Sequence, residues 1–370
     1  MTQISPDKVL AKIIDCGKGI LFYRFANADG KIWLMPAKGL RTAMGLYQPS
    51  GRNGKLLKQW FPWLHRLRVV RKVIHAESLL CTLSQAPRLL LEKLFGTTNL
   101  EYAFFCGTPC VHQKITIQLS KGHRILGYCK ATDSCKIAAL FENEALLLNV
   151  LHKKGIRTVP ECLFCGDLGN GVSIFVQSTT KTSLSKVVHE WGILHDKFLL
   201  RLKEATIQEI AFEKSDFCRV LAALQKHTDW LPEEVDKAMV MNAVEDTVKH
   251  WEGKRVGFCA YHADFTPWNM YVEQDELFVF DWEYAQMTYP PLLDKYHFFI
   301  QTFIFERHWT AQDIMAYVDS PDGKWMDKKL FKCYLLDMIA RFTIREKGTI
   351  NGDISRLMQI WSGLLAGLTM

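Results

Sequence analysis

The chain has 370 residues, 48% of them hydrophobic, 12% aromatic and 23% charged, which excludes a disordered chain, a collagen-like fibre and a small disulfide scaffold. The length suggests two or three domains with a sizeable core. The net charge is +7, yet ten positive side chains fall between Gly30 and Ala76, where no acidic residue occurs, so the remainder stands at −3 and an anionic partner is expected for one segment only.

The first section, residues 1–95, opens with a hairpin signal. Ile20–Phe25 and Ile32–Met35 are apolar, aromatic runs, and Ala28-Asp29-Gly30 between them tolerates positive φ. A Gly/Pro/Ser-rich break follows at Gln48–Gly54. Leu56–Ile74 then reads as a basic helical segment, interrupted or started afresh at Pro62, where the ring removes a backbone donor.

The second section, 96–180, alternates differently. Tyr102–Phe105 is a short strand, Gly107-Thr108-Pro109 a turn, and Lys114–Leu119 alternates with period two as a half-buried strand does. Lys121–His123 turns the chain into a strand at Arg124–Lys130. Phe141, Ala145, Leu148 and Leu151 recur at helical spacing, and Val172–Gln177 is another strand. Three or four strands with one helix make a small α+β lobe. The third section, 181–370, is mainly helical apart from a hairpin, Met270–Val272 with Leu277–Phe280. The longest uncharged apolar stretch, near Phe298–Phe305, falls well short of the roughly 18–20 residues of a spanning helix.

Eleven cysteines form an odd set, and Met1-Thr-Gln-Ile-Ser-Pro-Asp7 has no signal-peptide pattern, so reduced thiols and a cytoplasmic location are expected. Cys162 and Cys165 form a lone Cys-x-x-Cys pair, short of the four ligands of a structural zinc site.

The chemistry concentrates in Tyr261-His-Ala-Asp-Phe-Thr-Pro-Trp-Asn269 and the hairpin leading to Asp281-Trp282-Glu283. Pro267 holds Asp264 and Asn269 on a loop. Asn269 starts the first hairpin strand and Asp281 ends the second, so an antiparallel pair brings three oxygen-bearing side chains together. Carboxylate and amide oxygens suit a hard cation such as Mg²⁺. His-x-Asp-x4-Asn alone arises by chance in roughly a few per cent of chains this long, and the hairpin ending in Asp makes coincidence rarer.

In these residues the chain resembles the aminoglycoside phosphotransferase and choline kinase group, over about Gly96 to Phe299. The resemblance implies a two-lobed protein-kinase-like fold: a small β-rich N-lobe at 96–180, a mainly helical C-lobe at 181–370, and an N-terminal accessory region at 1–95. It implies ATP and Mg²⁺ as cofactors. Asp264 would orient the acceptor hydroxyl and take its proton, His262 would brace the loop from beneath, and Asn269 and Asp281 would hold Mg²⁺. Asp294 would tie the loop to a following helix. Lys130 would meet the nucleotide phosphates, with Glu144 fixing it; Glu144 is preferred to Glu142 on the leucines that follow it. Gln177 and Thr179 would offer backbone groups to adenine. The family pattern is not met everywhere: no Gly-x-Gly-x-x-Gly follows the first strand, Ala263 stands for an arginine, Asp281-Trp-Glu replaces Asp-Phe-Gly, and no Ala-Pro-Glu follows. A small hydroxyl acceptor is therefore expected over a protein. A non-catalytic kinase-like binding module and an atypical protein kinase are the alternatives.

Residues 52–72 interleave seven positive side chains with Trp60, Phe61, Trp63 and leucines. An interfacial helix on an anionic bilayer uses this pattern; so does a helix that packs its apolar residues on the small lobe and leaves its charges solvated. No groove-reading nucleic-acid motif is present. Gly45–Leu57 is similar to leader regions of kinase-like proteins associated with bacterial surface-glycan assembly, which implies a sugar or glycan acceptor and peripheral contact with the inner membrane face.

Overall fold

A computed structural model describes residues 6–49, 51–107, 113–350 and 352–369. The expected turn residues Thr108 and Pro109, and Ser50 of the expected break, lie outside the described residues. The chain divides into two compact units, residues 1–152 with 159–186, and residues 153–158 with 187–370.

The first unit runs α1 (Pro6–Ile13), β1 (Ile14–Ala26), β2 (Ile32–Pro36), α2 (Leu40–Ala43), α3 (Arg52–Leu64), α4 (Arg68–Val73), β3 (Glu77–Leu83), α5 (Gln85–Leu94), β4 (Glu101–Cys106), β5 (Ile115–Lys121), β6 (Arg124–Thr132), α6 (Cys135–Lys153), β7 (Cys162–Asp167) and β8 (Ser173–Ser178). Its eight strands form one sheet in the order β3-β1-β2-β4-β5-β6-β8-β7. The expected first hairpin forms, with Phe22 opposite Pro36 and Ala26 opposite Ile32. In β1 the register shifts between Cys16 and Ile20, and Gly19 is required there: a Cβ would stand 2.5 Å from the Cys81 carbonyl oxygen.

The boundary expected at residue 95 has no counterpart in this topology. Trp33 of β2 pairs with Phe105 of β4, so residues 1–95 supply three strands to the sheet that continues through 101–178. Alternation along these strands sorts side chains to two faces. Phe22, Leu34, Phe104, Ile117 and Val176 bury on one face, while Tyr23, Phe25, Trp33 and Met35 bury on the other, beneath α2 and α3.

Helix α3 runs through Pro62 rather than breaking at it, and the chain breaks instead at His65–Leu67. The Arg71 guanidinium makes that break affordable in hydrogen bonds, donating to the carbonyls of His65 at 2.7 Å and Arg66 at 2.8 Å. Phe61 is the buried residue of α3, its ring edge-on to Tyr23 at 5.8 Å and Phe25 at 6.0 Å between centroids. Trp60, Trp63, Leu64 and Leu67 remain exposed.

The second unit runs α7 (Ile193–Thr206), β9 (Gln208–Ala211), α8 (Asp216–Lys226), α9 (Lys237–Trp251), β10 (Arg255–Tyr261), β11 (Met270–Glu273), β12 (Glu276–Val279), β13 (Gln286–Tyr289), α10 (Leu293–Phe305), α11 (Ala311–Val318), α12 (Lys328–Glu346) and α13 (Gly352–Thr369). It is helical as expected, with β13-β10-β9 and β11-β12 as small sheets. Helix α12 is buried on nearly every side, from Phe331 through Ala340, and forms its centre. Among the described residues no helix is long and apolar enough to cross a membrane.

Candidate active site

Strand β10 delivers the chain to His262, and two helices then hold the bend. Ala263 adopts φ 70°, a left-handed conformation costing a non-glycine residue roughly 1–2 kcal/mol. The Asp294 carboxylate of α10 offsets that cost by accepting the backbone N–H groups of both His262 (2.9 Å) and Ala263 (3.1 Å). From α12, Arg341 donates to the Ala263 carbonyl at 3.0 Å. Asp294 therefore ties the loop to the following helix. Its buried carboxyl is pushed up to about 7 by desolvation, against which the two amides act.

His262 is fully buried, and its hydrogen bonds fix its tautomer. Nδ1 accepts from the Asp264 backbone N–H at 3.1 Å, so Nε2 carries the proton and donates to the Phe280 carbonyl at 3.0 Å. Burial lowers its pKa to about 4, which keeps the ring neutral. The imidazole thus bridges the loop to Phe280, the residue before Asp281.

Asp264 is half-buried. Its Oδ2 accepts from the Asn269 side-chain amide at 2.7 Å, and the same amide also donates to the Asp264 carbonyl at 3.0 Å. Its Oδ1 accepts from His297 Nε2 at 3.3 Å. Burial works to raise the Asp264 carboxyl, but the His297 hydrogen bond and the two nearby imidazoles outweigh it and hold the group below the usual aspartate value. His297 was not found by sequence reasoning. The sequence marks only the helix face: Asp294, His297 and Gln301 are polar at i, i+3 and i+7 of a largely apolar helix, hence on one side of it.

Pro267 begins a 3₁₀ turn through Asn269 that feeds β11. Gln274 and Asp275, at φ 51° and 60°, form the tight turn whose twist suits the hairpin, with Glu273 opposite Glu276 and Met270 opposite Val279. The ladder is extended by the Phe280 N–H donating to the Asn269 carbonyl at 3.0 Å, which sets Asn269 beside the entry to Asp281. Asp281 takes a left-handed φ of 70°. Its charge acts on both His262 and Asp264, so the carboxylates of residues 264 and 281 share one neighbourhood. A carboxylate oxygen of Glu283 lies within 4.8 Å of one from Asp281. The donor set of Asn269, Asp281 and Glu283 is all oxygen, and the amide nitrogen of Asn269 is turned to Asp264, leaving its carbonyl oxygen for a ligand. This set fits a hard cation.

In the first unit, Lys130 of β6 and Glu144 of α6 meet at 2.6 Å, both buried. Glu142 is exposed, which settles the choice between the two acids. Thr116 and Phe175 flank Lys130 across the sheet on the same face, and its ammonium lies 5.4 Å from the Phe175 ring centre. Gln177 is buried at the end of β8, its Oε1 without a hydrogen-bond partner. Gly127 is required beside it, since a Cβ there would stand 2.3 Å from the Gln177 carbonyl oxygen. Thr179 Oγ1 accepts from the Lys181 N–H at 3.1 Å. Cys162 and Cys165 sit on β7 with thiols raised to about 11 by burial, and they belong to no metal-competent group of three among the described residues.

No protein-family description matches this sequence, and no curated protein does. Solved structures do match by fold. A thermostable mutant of the aminoglycoside phosphotransferase APH(4)-Ia, in ternary complex with ADP and hygromycin B, is 13% identical, with a TM-score of 0.50 over 76% of this chain and 99% of that one. The choline kinase LicA from Streptococcus pneumoniae is 16% identical, with a TM-score of 0.48 over 77% and 99%. A β-rich unit carrying a buried lysine–glutamate pair and a helical unit carrying the aspartate–asparagine loop are thus similar, in fold, to the aminoglycoside phosphotransferase: the architecture is protein-kinase-like.

Proposed function

We propose that this protein is an ATP- and Mg²⁺-dependent phosphotransferase that moves a γ-phosphoryl group to a hydroxyl of a small molecule, with a sugar or glycan as the favoured acceptor class. The observation that carries this reading is the Asp264 carboxylate held on both oxygens, by Asn269 and His297, in the neighbourhood of Asp281. A carboxylate with a lowered pKa is a weak base. It aligns an incoming hydroxyl by accepting its hydrogen bond and takes the proton late, which suits a loose transition state that asks mainly for positioning. Lys130, fixed by Glu144, would neutralise non-bridging phosphate oxygens. Asn269 and Asp281 would hold the cation. Bound Mg²⁺ supplies charge neutralisation on the phosphates. The aminoglycoside phosphotransferase of similar fold is in complex with ADP and hygromycin B, which supports the nucleotide reading.

The test is ADP release against a panel of free sugars, glycan oligosaccharides, amino alcohols and aminoglycosides. The reading predicts metal-dependent ADP formation stimulated by at least one hydroxyl acceptor, with the saccharides leading. Release no faster than ATP hydrolysis without acceptor, across the whole panel, sinks it.

Partner contact at an anionic membrane surface, on the cytoplasmic side, is the second half of the proposal. Helix α3 does pack on the sheet, through Phe61, but it leaves Trp63 69% exposed, and Val69 and Val73 of α4 are 73% exposed. Arg52, Lys55, Arg66, Arg68 and Lys72 are exposed around them with no acid in the segment. Each basic side chain near an anionic leaflet is worth about 1 kcal/mol. Vesicle flotation is expected to recover the protein with phosphatidylglycerol-containing vesicles, less so at high salt and with Trp60→Ser/Trp63→Ser. Equal recovery on phosphatidylcholine alone removes the electrostatic argument.

A further inference from the structure

His297 is the one described side chain of helix α10 that hydrogen-bonds the Asp264 carboxylate, and two further polar groups stand behind it. Gln301, one turn further along the same face, donates from Nε2 to the Tyr334 hydroxyl oxygen at 3.5 Å. Tyr334, on α12, lies 3.3 Å from His297 Nδ1. Because the Asp264 carboxylate takes the Nε2 proton, Nδ1 of the neutral ring is left to accept from the Tyr334 hydroxyl. With Nδ1 accepting, the ring proton sits on Nε2 and points at Asp264 Oδ1, 3.3 Å away. The carboxylate, which can only accept, demands the same tautomer from the other end. The Asp264 end therefore selects the Nε2–H tautomer, the Tyr334 end is compatible with it, and all three side chains are buried.

We propose that His297, in its Nε2–H tautomer and backed by Tyr334 and Gln301, is a positioning residue that fixes the rotamer of the Asp264 carboxylate for the acceptor hydroxyl. Asn269 alone grips Oδ2 and leaves rotation of the carboxylate about its own axis open; a second donor on Oδ1 closes it. The donors come from different elements, the loop itself and a helix that the loop is already tied to through Asp294, so loop and carboxylate are aligned by one rigid body. The hydrogen bonds of His297 go to Asp264 and Tyr334, so its removal is expected to act through Asp264. The inference rests on Asp264 being the residue that meets the acceptor.

Steady-state kinetics of the full chain test this, with the acceptor that the panel identifies. His297→Leu keeps the volume and removes the donor. It is expected to lower kcat by about ten- to a hundredfold while the KM for ATP stays within about twofold. His297→Gln places an amide N–H near the lost Nε2 and recovers most of that loss. Tyr334→Phe produces a smaller drop in kcat in the same direction and makes little further difference in the His297→Leu background. Melting temperatures are measured beside each variant. Wild-type kcat in His297→Leu overturns the proposal, and so does a His297→Gln variant as slow as His297→Leu, which would mark a packing role. Asp264→Ala is the control that separates the two levels: an inactive Asp264→Ala beside a fully active His297→Leu overturns this inference alone, whereas an active Asp264→Ala overturns it together with the role of Asp264.

Discussion

Asp264→Ala is expected to lower turnover by about 10²–10⁴-fold while the protein still binds ATP, because on the proposed reading the variant removes the carboxylate that would align and deprotonate the hydroxyl. The loop itself remains anchored, since Asp294 and Arg341 hold the backbone of residues 262 and 263 rather than the Asp264 side chain. The measurement is kcat against the acceptor identified by ADP release, paired with thermal stabilisation by ATP and Mg²⁺. The partner variant Asp281→Asn divides the alternatives further. It is expected to lose the metal-dependent stabilisation, because one of the two neighbouring carboxylate charges of Asp281 and Glu283 is removed. Turnover in Asp264→Ala comparable with the unaltered protein would count decisively against the phosphotransferase reading. If ATP and Mg²⁺ stabilise neither form, the non-catalytic binding module becomes the better account, and phosphate incorporation into protein but not into small acceptors would favour a protein kinase.

How far the sequence led depended on how local each feature is. The hairpin from Met270 to Val279 and its turn at Gln274-Asp275 are written in adjacent residues, and a tight antiparallel ladder leaves little freedom for where its two ends lie. The loop residues were legible for the same reason. The choice of Glu144 over Glu142 follows helix phase: Glu144 lies three residues after buried Phe141 and four before buried Leu148, while Glu142 lies off that stripe. What could not be read is long-range. Nothing in the periodicity of Ile32–Met35 says that it will pair with Phe104 and Phe105, so residues 1–95 looked separable when they are three strands of one sheet. Strand β3, Glu77–Leu83, went unnoticed because its pattern gains meaning only beside β1. Helix α3 runs on to Leu64, and Arg71 meets the carbonyls of His65 and Arg66 just beyond it, a contact that depends on the chain turning back at Leu67. His297 reaches Asp264 across 33 residues of sequence, and no spacing rule connects a loop to the face of a helix that follows it.

The second large effect concerns stability rather than rate. Arg341→Leu is expected to destabilise the helical unit by about 3–5 kcal/mol, the usual result of removing one partner from a buried ion pair. Asp337 is fully buried and is met by Arg341 Nε at 2.8 Å, by the Tyr261 hydroxyl at 3.1 Å and by the Tyr289 hydroxyl at 2.9 Å. Two phenols can share the carboxylate's lone pairs but cannot neutralise its charge, so the variant leaves an anion in an apolar centre. Burial works against the charge of Arg341, and the Asp337 carboxylate beside it more than restores it. At 2–4 °C per kcal/mol for a unit of this size, the melting temperature should fall by roughly 10 °C. The companion variant Arg341→Leu/Asp337→Leu removes both charges together and is expected to recover much of the loss, since a matched apolar replacement carries no desolvation penalty. Calorimetry on the three proteins decides the matter: an unchanged melting temperature in Arg341→Leu, or no recovery in the double variant, rules out the buried charge as the cause. Activity carries a separate trace of the same residue. Arg341 also holds the Ala263 carbonyl, so even well below its melting point Arg341→Leu should turn over more slowly than the unaltered protein, because the residue before Asp264 has lost one of the two helices that fix it.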